Sequence, residues 1–191
     1  MKRRHILAWM AVAAVALAAG WGGPARAQGP DYRITVPVGW YDNTQPGAEN
    51  LIRQLMEPLQ NAFVEVYATA VPRNPGVEYL ADQTERGLQQ QGTPYTYQRY
   101  SSAPVTLPPG VPAVMRRYGG NLNGTQLGSF VLTTYYGGYL VVFVGVYVAA
   151  RSDLERAVMT ALSSIRFPGA ATTAVPSVPA DSGGDSFFGR R

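Results

Sequence analysis

Residues 139–149 read Tyr-Leu-Val-Val-Phe-Val-Gly-Val-Tyr-Val-Ala, and this stretch decides the fold. Its composition predicts a β-strand, because valine and the aromatic residues favour extended backbone. Apolar side chains fall on both faces of that strand, with residues 140, 142, 144, 146 and 148 on one side and 139, 141, 143 and 147 on the other. A strand that is apolar on both faces must be covered on both sides.

The strands before it continue the same sheet. We expect strands at 111–118 and 126–136, joined to each other and to 139–149 by short turns. Asn123-Gly124 and Gly137-Gly138 are typical of two-residue hairpin turns, because both turn positions need a positive φ. Residues 111–149 are therefore predicted to form an antiparallel meander.

A helix is predicted directly after the meander. Ser152 and Glu155 have the spacing of a capping box at its start. The apolar residues recur at helical spacing and would cover one face of the sheet; they are Leu154, Ala157, Val158, Ala161, Leu162 and Ile165.

The first half of the domain is less regular. Residues 32–37 alternate and predict a first strand, closed by a turn that leads to Trp40. Residues 50–60 have apolar residues at helical spacing, but Pro58 would break a helix there. We therefore favour a strand at 51–57, paired through a turn with a strand at 62–70.

A second helix and one more strand lie between this hairpin and the meander. Asn74-Pro75 is expected to open the helix, Gly92 to end it, and the strand to follow over residues 93–101. The inner side of this helix would consist of Val77, Leu80, Ala81, Thr84 and Leu88. The predicted fold class is α+β, a three-layer α/β/α sandwich with a mostly antiparallel sheet of about six strands.

The two ends of the chain have different compositions from the middle. Residues 1–27 resemble an export signal, with a basic start, a short apolar run and an Ala-x-Ala site that predicts cleavage between Ala27 and Gln28. Residues 28–167 are expected to form a single domain, and 168–191, rich in Pro, Gly, Ser and Ala, a disordered tail. We therefore expect a periplasmic or secreted protein with no integral membrane segment in the mature chain.

The composition excludes several kinds of chemistry. The only lysine is Lys2, the only histidine is His5, and the chain has no cysteine. Without the predicted signal, no imidazole base, thiolate, amine nucleophile or Cys/His zinc site can be built. The whole chain carries a formal charge of +4, but the part after residue 27 is formally neutral, which removes the electrostatic basis for nucleic-acid binding.

Tyrosine and arginine dominate the candidate recognition residues. The predicted surface consists of Tyr95, Tyr97, Arg99, Arg116, Arg117 and Tyr118, and it would suit a glycan, a peptide or an anionic polymer. Strand parity places Tyr95, Tyr97 and Arg99 on one face and Tyr100 on the other. The alternative for these residues is an ordinary half-buried sheet face.

Acidic residues supply a second candidate group. Glu78, Asp82 and Glu85 lie on one side of the first predicted helix. They could hold a hard cation such as Ca²⁺, or they could form a solvated helix face with Arg86 paired to Asp82. The second interpretation is favoured, and no cofactor is expected. A hydrolase that uses Glu65, Glu78, Asp82 or Glu85 remains a lesser alternative.

Four short sequence segments, taken in chain order, resemble the PsbP/DcrB-like family. They are residues 32–40, ending in Pro-Val-Gly-Trp; 61–66, Asn-Ala-Phe-Val-Glu-Val; 110–113, Gly-Val-Pro-Ala; and 162–167, Leu-Ser-Ser-Ile-Arg-Phe. The resemblance spans about residues 31–167 and implies the fold of photosystem II extrinsic proteins. It also implies non-catalytic binding or scaffolding outside the cytoplasm. It carries over no functional residue, since the family's metal-binding histidines have no counterpart here.

These observations lead to one functional expectation. We expect an exported, non-enzymatic accessory or binding protein, a small bacterial member of this family, that contacts a protein or polymer of the cell envelope. A small-ligand carrier, with a pocket between the sheet and a helix, is the alternative.

Overall fold

The computed structural model describes residues 29–44, 50–90 and 98–168. Over these ranges the chain forms seven strands and two helices in the order βββαββββα. The strands are β1 (Tyr41–Asp42), β2 (Leu51–Met56), β3 (Ala62–Ala70), β4 (Gln98–Leu107), β5 (Val111–Leu122), β6 (Thr125–Tyr136) and β7 (Tyr139–Val148). The helices are α1 (Val77–Gln90) and α2 (Ser152–Ser163).

All seven strands belong to one sheet, in the order β1-β2-β3-β7-β6-β5-β4. Each neighbouring pair is antiparallel, as predicted. The sheet has seven strands where about six were expected. The short strand β1 has no alternating pattern that sequence reasoning could detect, since two residues cannot show one.

The prediction of a first strand at residues 32–37 is wrong. Only Arg33 makes a bridge, and its partner is Arg166, which follows α2 rather than belonging to the sheet. The two backbones exchange hydrogen bonds of 2.8 and 3.0 Å. The alternating pattern arises because Ile34 enters the core while Tyr32 and Val36 pack partly buried against it.

The hairpin of β2 and β3 confirms the strand interpretation of residues 51–57 over the helical one. The turn closes with a hydrogen bond of 2.8 Å from the Gln60 N–H to the Glu57 carbonyl. The meander is confirmed as well, because β5, β6 and β7 are consecutive neighbours in the sheet. Both predicted turns have positive φ at each position, 51° and 86° at Asn123-Gly124 and 59° and 86° at Gly137-Gly138.

Strand β7 lies between β3 and β6 and is buried from both faces. Leu140 and Val142 pack in one cluster with Leu80 and Leu88 of α1. The intervening residues pack in a larger cluster with α2; this cluster includes Val141, Phe143, Tyr147, Leu154, Val158, Ala161 and Leu162. The two helices therefore cover opposite faces of the sheet, with α2 packed mainly on β7 and α1 packed mainly on β6 and β5.

Helix α2 packs closely on β7 because residue 145 is glycine. A Cβ atom at Gly145 would overlap the side chain of Val158. The predicted inner side of α2 is confirmed, except that Ala157 is only partly buried and the buried Ile165 lies just past the end of the helix. The predicted capping box is wrong. Arg151 occupies the N-cap position and makes no side-chain cap bond, so Ser152 is already the first helical residue.

Helix α1 begins two residues later than predicted, at Val77. The Asn74 side chain accepts a hydrogen bond of 2.9 Å from the Gly76 N–H, so it closes a turn before the helix instead of capping it. The predicted end at Gly92 and the first five residues of the predicted strand 93–101 lie outside the described residues.

Both predicted terminal segments also fall beyond the described ranges, apart from Pro168. Within residues 29–44, 50–90 and 98–168, no helix is long and apolar enough to cross a membrane.

Replacing Leu162 by aspartate should prevent the domain from folding. Leu162 is buried in the larger cluster, and an unpaired carboxylate there costs about 3 to 5 kcal/mol. We expect no cooperative thermal transition by circular dichroism. Thr160→Asp, on the exposed side of the same helix, is the control and should melt close to the wild type. A wild-type melting temperature for Leu162→Asp would show that α2 does not pack as described.

Candidate functional site

Two consecutive arginines on β5 lie on opposite faces of the sheet. Adjacent side chains of a strand alternate between faces. Arg116 lies on the face covered by α1 and bonds Asp82 and Glu85 of that helix. Arg117 lies on the face covered by α2 and bonds Glu155 of that helix. Strand β5 is thus connected to both helices by ion pairs.

Arg116 is almost fully buried, at 4% exposure. Its Nη1 donates to Oε2 of Glu85 at 2.7 Å, and its Nη2 donates to Oδ1 of Asp82 at 2.6 Å. Its Nε donates to the Ser102 hydroxyl at 3.2 Å. All three guanidinium nitrogens have partners, which is the condition under which a buried charge is tolerated.

The acidic side of α1 is therefore bonded to the sheet. Asp82 pairs with Arg116, where helical spacing predicted Arg86, and this hydrogen bond holds the pKa of Asp82 below its usual value. Glu85 also accepts a bond of 2.7 Å from Arg99. Glu78 lies 3.8 Å from Arg116. Among the described residues no group of acidic or histidine side chains is arranged to hold a metal ion.

Tyr118 lies beside this network and is buried. Burial raises the pKa of its hydroxyl to about 12, although nearby Arg116 acts in the opposite direction. Arg99 of β4 is directly opposite Tyr118 in the register and is partly exposed. Arg99, Arg116 and Tyr118 thus lie on the α1 side, where they join the helix to the sheet.

On the α2 side of β4 and β5, Tyr100 and Arg117 form an exposed surface, which we call the Tyr100–Arg117 patch. Tyr100 is 62% exposed, and its ring lies so close to Gly119 of β5 that any Cβ there would overlap it. Arg117 is half-exposed, with its Nη2 2.6 Å from Oε1 of Glu155. Its guanidinium carbon lies 5.5 Å from the centre of the Phe130 ring, a distance typical of a cation–π contact.

The six predicted recognition residues do not share one described face. Arg99, Arg116 and Tyr118 are on the α1 side, and Arg117 is on the α2 side. Tyr95 and Tyr97 lie outside the described residues. Sequence reasoning omitted Tyr100 from the candidates, although strand parity, which separated it from Arg99, was the signal that could have placed it with Arg117.

A second polar group is buried near the other end of the sheet. Glu65 of β3 is 4% exposed, and its Oε1 accepts a hydrogen bond of 2.6 Å from the Gln54 amide. Its Oε2 accepts a hydrogen bond from the Tyr67 hydroxyl. Asn43 donates to Gln54 at 2.7 Å and extends the chain of hydrogen bonds. Within the described part of the molecule no cation pairs with Glu65, and burial raises its pKa.

Removing the Arg116 side chain should weaken the domain more than removing a partly exposed arginine. Arg116→Met leaves Asp82 without its partner and Glu85 with Arg99 alone, and we expect a loss of about 2 to 3 kcal/mol in the free energy of unfolding. Arg53→Met breaks the exposed pair with Asp42 and should cost less than about 1 kcal/mol. Urea unfolding measures both changes. Equal losses would show that the Arg116 network does not anchor α1.

Glu65 should make stability fall as pH rises. Its folded pKa lies above the ordinary value of 4.5, so the fold favours the protonated carboxyl. This stabilisation is fully present below the unfolded pKa and is lost as the pH rises through the folded pKa. Glu65→Gln should therefore become more stable relative to wild type as pH increases from about 4.5.

Urea unfolding across that pH range tests this expectation. Asp31→Asn, at an exposed carboxyl, is the control and should follow the wild type. A difference between Glu65→Gln and wild type that stays constant with pH would contradict the description of Glu65.

Comparisons with known proteins identify the fold. No protein-family model matches the chain, and no curated protein matches its sequence. The solution structure of cyanobacterial PsbP (CyanoP) from Synechocystis sp. PCC 6803 is similar, with a TM-score of 0.56 and 15% identity over 75% of this chain and 95% of that one. LpqN of Mycobacterium tuberculosis, described as involved in cell envelope biogenesis, gives a TM-score of 0.54 and 12% identity over 76% of this chain and 86% of that one.

Identities of 12% and 15% establish a shared fold and no more. In this chain that fold is a mostly antiparallel sheet with two helices, as formed by the described residues. The fold implied by the four sequence segments is therefore confirmed: the chain has the PsbP-like α+β fold.

Proposed function

We propose that this protein is an exported, non-enzymatic member of the PsbP/DcrB-like family that binds a protein or polymer of the cell envelope. In this proposal residues 1–27 are the cleaved signal, the mature protein is periplasmic or secreted, and its domain is a three-layer α/β/α sandwich. The observation that carries the proposal is the Tyr100–Arg117 patch. The envelope role described for LpqN, a protein of the same fold, supports the compartment.

The patch has the chemistry of a recognition surface. A tyrosine ring supplies a large apolar contact at small entropic cost, and its hydroxyl can form hydrogen bonds. The ring of Tyr100 is seated against the backbone of Gly119, which limits its motion before any partner binds. Arg117 adds a planar donor, and its pairing with Glu155 fixes its position. Such preorganisation lowers the cost of association.

The carboxylates outside the Tyr100–Arg117 patch favour a binding function over a catalytic one. Asp82 and Glu85 are bonded to Arg116, and Glu65 is buried with its two oxygens occupied. None of these carboxylates is both exposed and free of a partner in the described structure. The favoured partner is a surface with carboxylate or hydroxyl groups, because these can accept the hydrogen bonds that Arg117 donates.

Quantitative capture from the source's envelope fraction tests the proposal. The immobilised mature chain should retain a specific envelope component, and both Tyr100→Ala and Arg117→Ala should reduce its recovery at least about tenfold, as expected for central contacts. Tyr79→Ala is the matched control, because Tyr79 is a tyrosine of α1 that is 49% exposed. Circular dichroism confirms that each variant is folded.

Two results would contradict the proposal. One is recovery of nothing above background by the wild-type chain. The other is a component retained equally by wild type, Tyr100→Ala and Arg117→Ala.

A further inference from the structure

Two directly opposed glycines lie under the Tyr100–Arg117 patch. Gly119 of β5 pairs with Gly128 of β6, and Gly128 pairs in turn with Tyr147 of β7. A Cβ atom at Gly119 would overlap the Tyr100 ring, and one at Gly128 would overlap the Tyr147 ring, in both cases at the hydroxyl end of the ring. The two tyrosine rings therefore lie across the strands, and their hydroxyl ends lie above the same pair of glycines.

Of these two tyrosines, Tyr100 is the one that a ligand can reach. It is 62% exposed, whereas Tyr147 is 2% exposed. Phe130 stacks on Tyr147, with 5.7 Å between the ring centres and 22° between the ring planes. A ring that lies across a strand has one face on the backbone and the other face in solvent. Tyr100 thus presents a flat apolar surface, the size of one six-membered ring, on a closely packed floor.

Polar groups of three kinds border this surface. Arg117 is half-exposed and pairs with Glu155, whose side chain is 29% exposed. A hydrogen bond with Tyr147 raises the pKa of Arg117, and the charge of Glu155 acts in the same direction. A guanidinium only donates hydrogen bonds, a carboxylate only accepts them, and a phenol hydroxyl does both. The patch thus offers donors and acceptors side by side, and the charges of Arg117 and Glu155 cancel.

We propose that the ligand of this patch is a neutral glycan. A sugar ring has a face of C–H groups, which packs on an aromatic ring, and an edge of hydroxyls that both donate and accept hydrogen bonds. With its C–H face on Tyr100, the sugar would accept hydrogen bonds from Arg117 and donate them to Glu155. This inference rests on the proposed function and names the chemical class of the envelope partner.

Charge favours a neutral glycan over an anionic polymer. The carboxylate of Glu155 already neutralises Arg117, at a distance of 2.6 Å. An incoming carboxylate or phosphate would have to displace Glu155 or lie beside it, and like charges at such a distance repel each other. Sugar hydroxyls carry no charge, so they can bind to the intact pair.

The distribution of exposed apolar side chains favours a glycan over a protein. A standard protein interface covers about 800 Å² of each partner. Of the large apolar side chains that are exposed in the described ranges, Tyr100 is the only one on β4 or β5. Val38, Tyr41 and Leu59 lie near β1 and β2 at the opposite edge of the sheet, and Tyr79 lies on α1. A single exposed ring matches the area of one sugar.

Capture from the envelope fraction after two chemical treatments tests the class of partner. Sodium periodate cleaves the vicinal diols of sugars, and proteinase K digests proteins. We expect the component retained through Tyr100 and Arg117 to survive proteinase K and to be lost after periodate. A component that proteinase K destroys and periodate spares would overturn the glycan inference and leave the proposed function intact. Recovery of nothing from the untreated fraction would contradict both.

Defined sugars give a second test with the mature chain, residues 28–191. In ligand-observed saturation-transfer NMR, at least one of maltotetraose, cellotetraose, mannotetraose and chitotetraose should bind, and anionic tetragalacturonate should bind more weakly. Tyr100→Ala should weaken binding of the neutral sugar at least about tenfold, and Tyr100→Phe, which keeps the ring, should weaken it less. Tyr79→Ala, at an exposed tyrosine of α1, is the control and should bind as the wild type does.

Glu155→Gln tests the charge argument. The change keeps the shape of the side chain but removes the countercharge of Arg117, so tetragalacturonate should bind at least about threefold more tightly. Circular dichroism confirms that each variant is folded. Absence of binding of all four neutral sugars up to about 10 mM would overturn the inference. Tetragalacturonate that binds the wild type more tightly than every neutral sugar, or that gains nothing from Glu155→Gln, would overturn the choice of a neutral ligand.

Discussion

The contact between Val158 of α2 and Gly145 of β7 is the constraint on which the rest of the structure depends. Because Gly145 has no side chain, α2 approaches the sheet closely enough to bury Leu154 and Leu162 against Phe143. The same strand directs Leu140 and Val142 to the opposite face, where α1 packs. Helix α2 thus packs on β7, while α1 packs on the opposite face over β6 and β5. The strands on either side of β7 are positioned by backbone pairing.

The two arginines of β5 show how the alternation of side chains along a strand separates a residue with a structural role from one that a partner can reach. Arg116 is buried beneath α1, and its three nitrogens are used to join the helix to the sheet. Arg117, one residue later, lies beside exposed Tyr100 on the other face. The pairs made by the first stabilise α1, and the exposure of the second leaves a surface on which a partner can bind.

The periodicity of the sequence was sufficient to predict most of the fold. The meander, the β2–β3 hairpin and the inner side of α2 were predicted because turn residues and burial leave local patterns. The predicted strand at residues 32–37 was wrong, because their alternation arises from packing against the core and not from pairing within the sheet. Strand β1, with two residues, is too short to leave a pattern.

The candidate site was less predictable, because its contacts join distant parts of the chain. Arg116 lies 34 residues from Asp82 in sequence, so no helical spacing could indicate this pair. Grouping Arg116 with Arg117 as one surface ignored the alternation that separates them.

Native-state hydrogen exchange in dilute solution tests most directly whether β7 is the buried centre of the sheet and β4 is its exposed edge. Proline is tolerated in a strand where its nitrogen points away from the paired neighbour, so Ser102 and Thr106, two residues either side of Pro104, also direct their amides away from β5. Amides of β7 should exchange only through global unfolding, and those of Ser102 and Thr106 should exchange nearly as fast as in an unfolded chain. Protection of Ser102 and Thr106 equal to that of β7 would contradict the account.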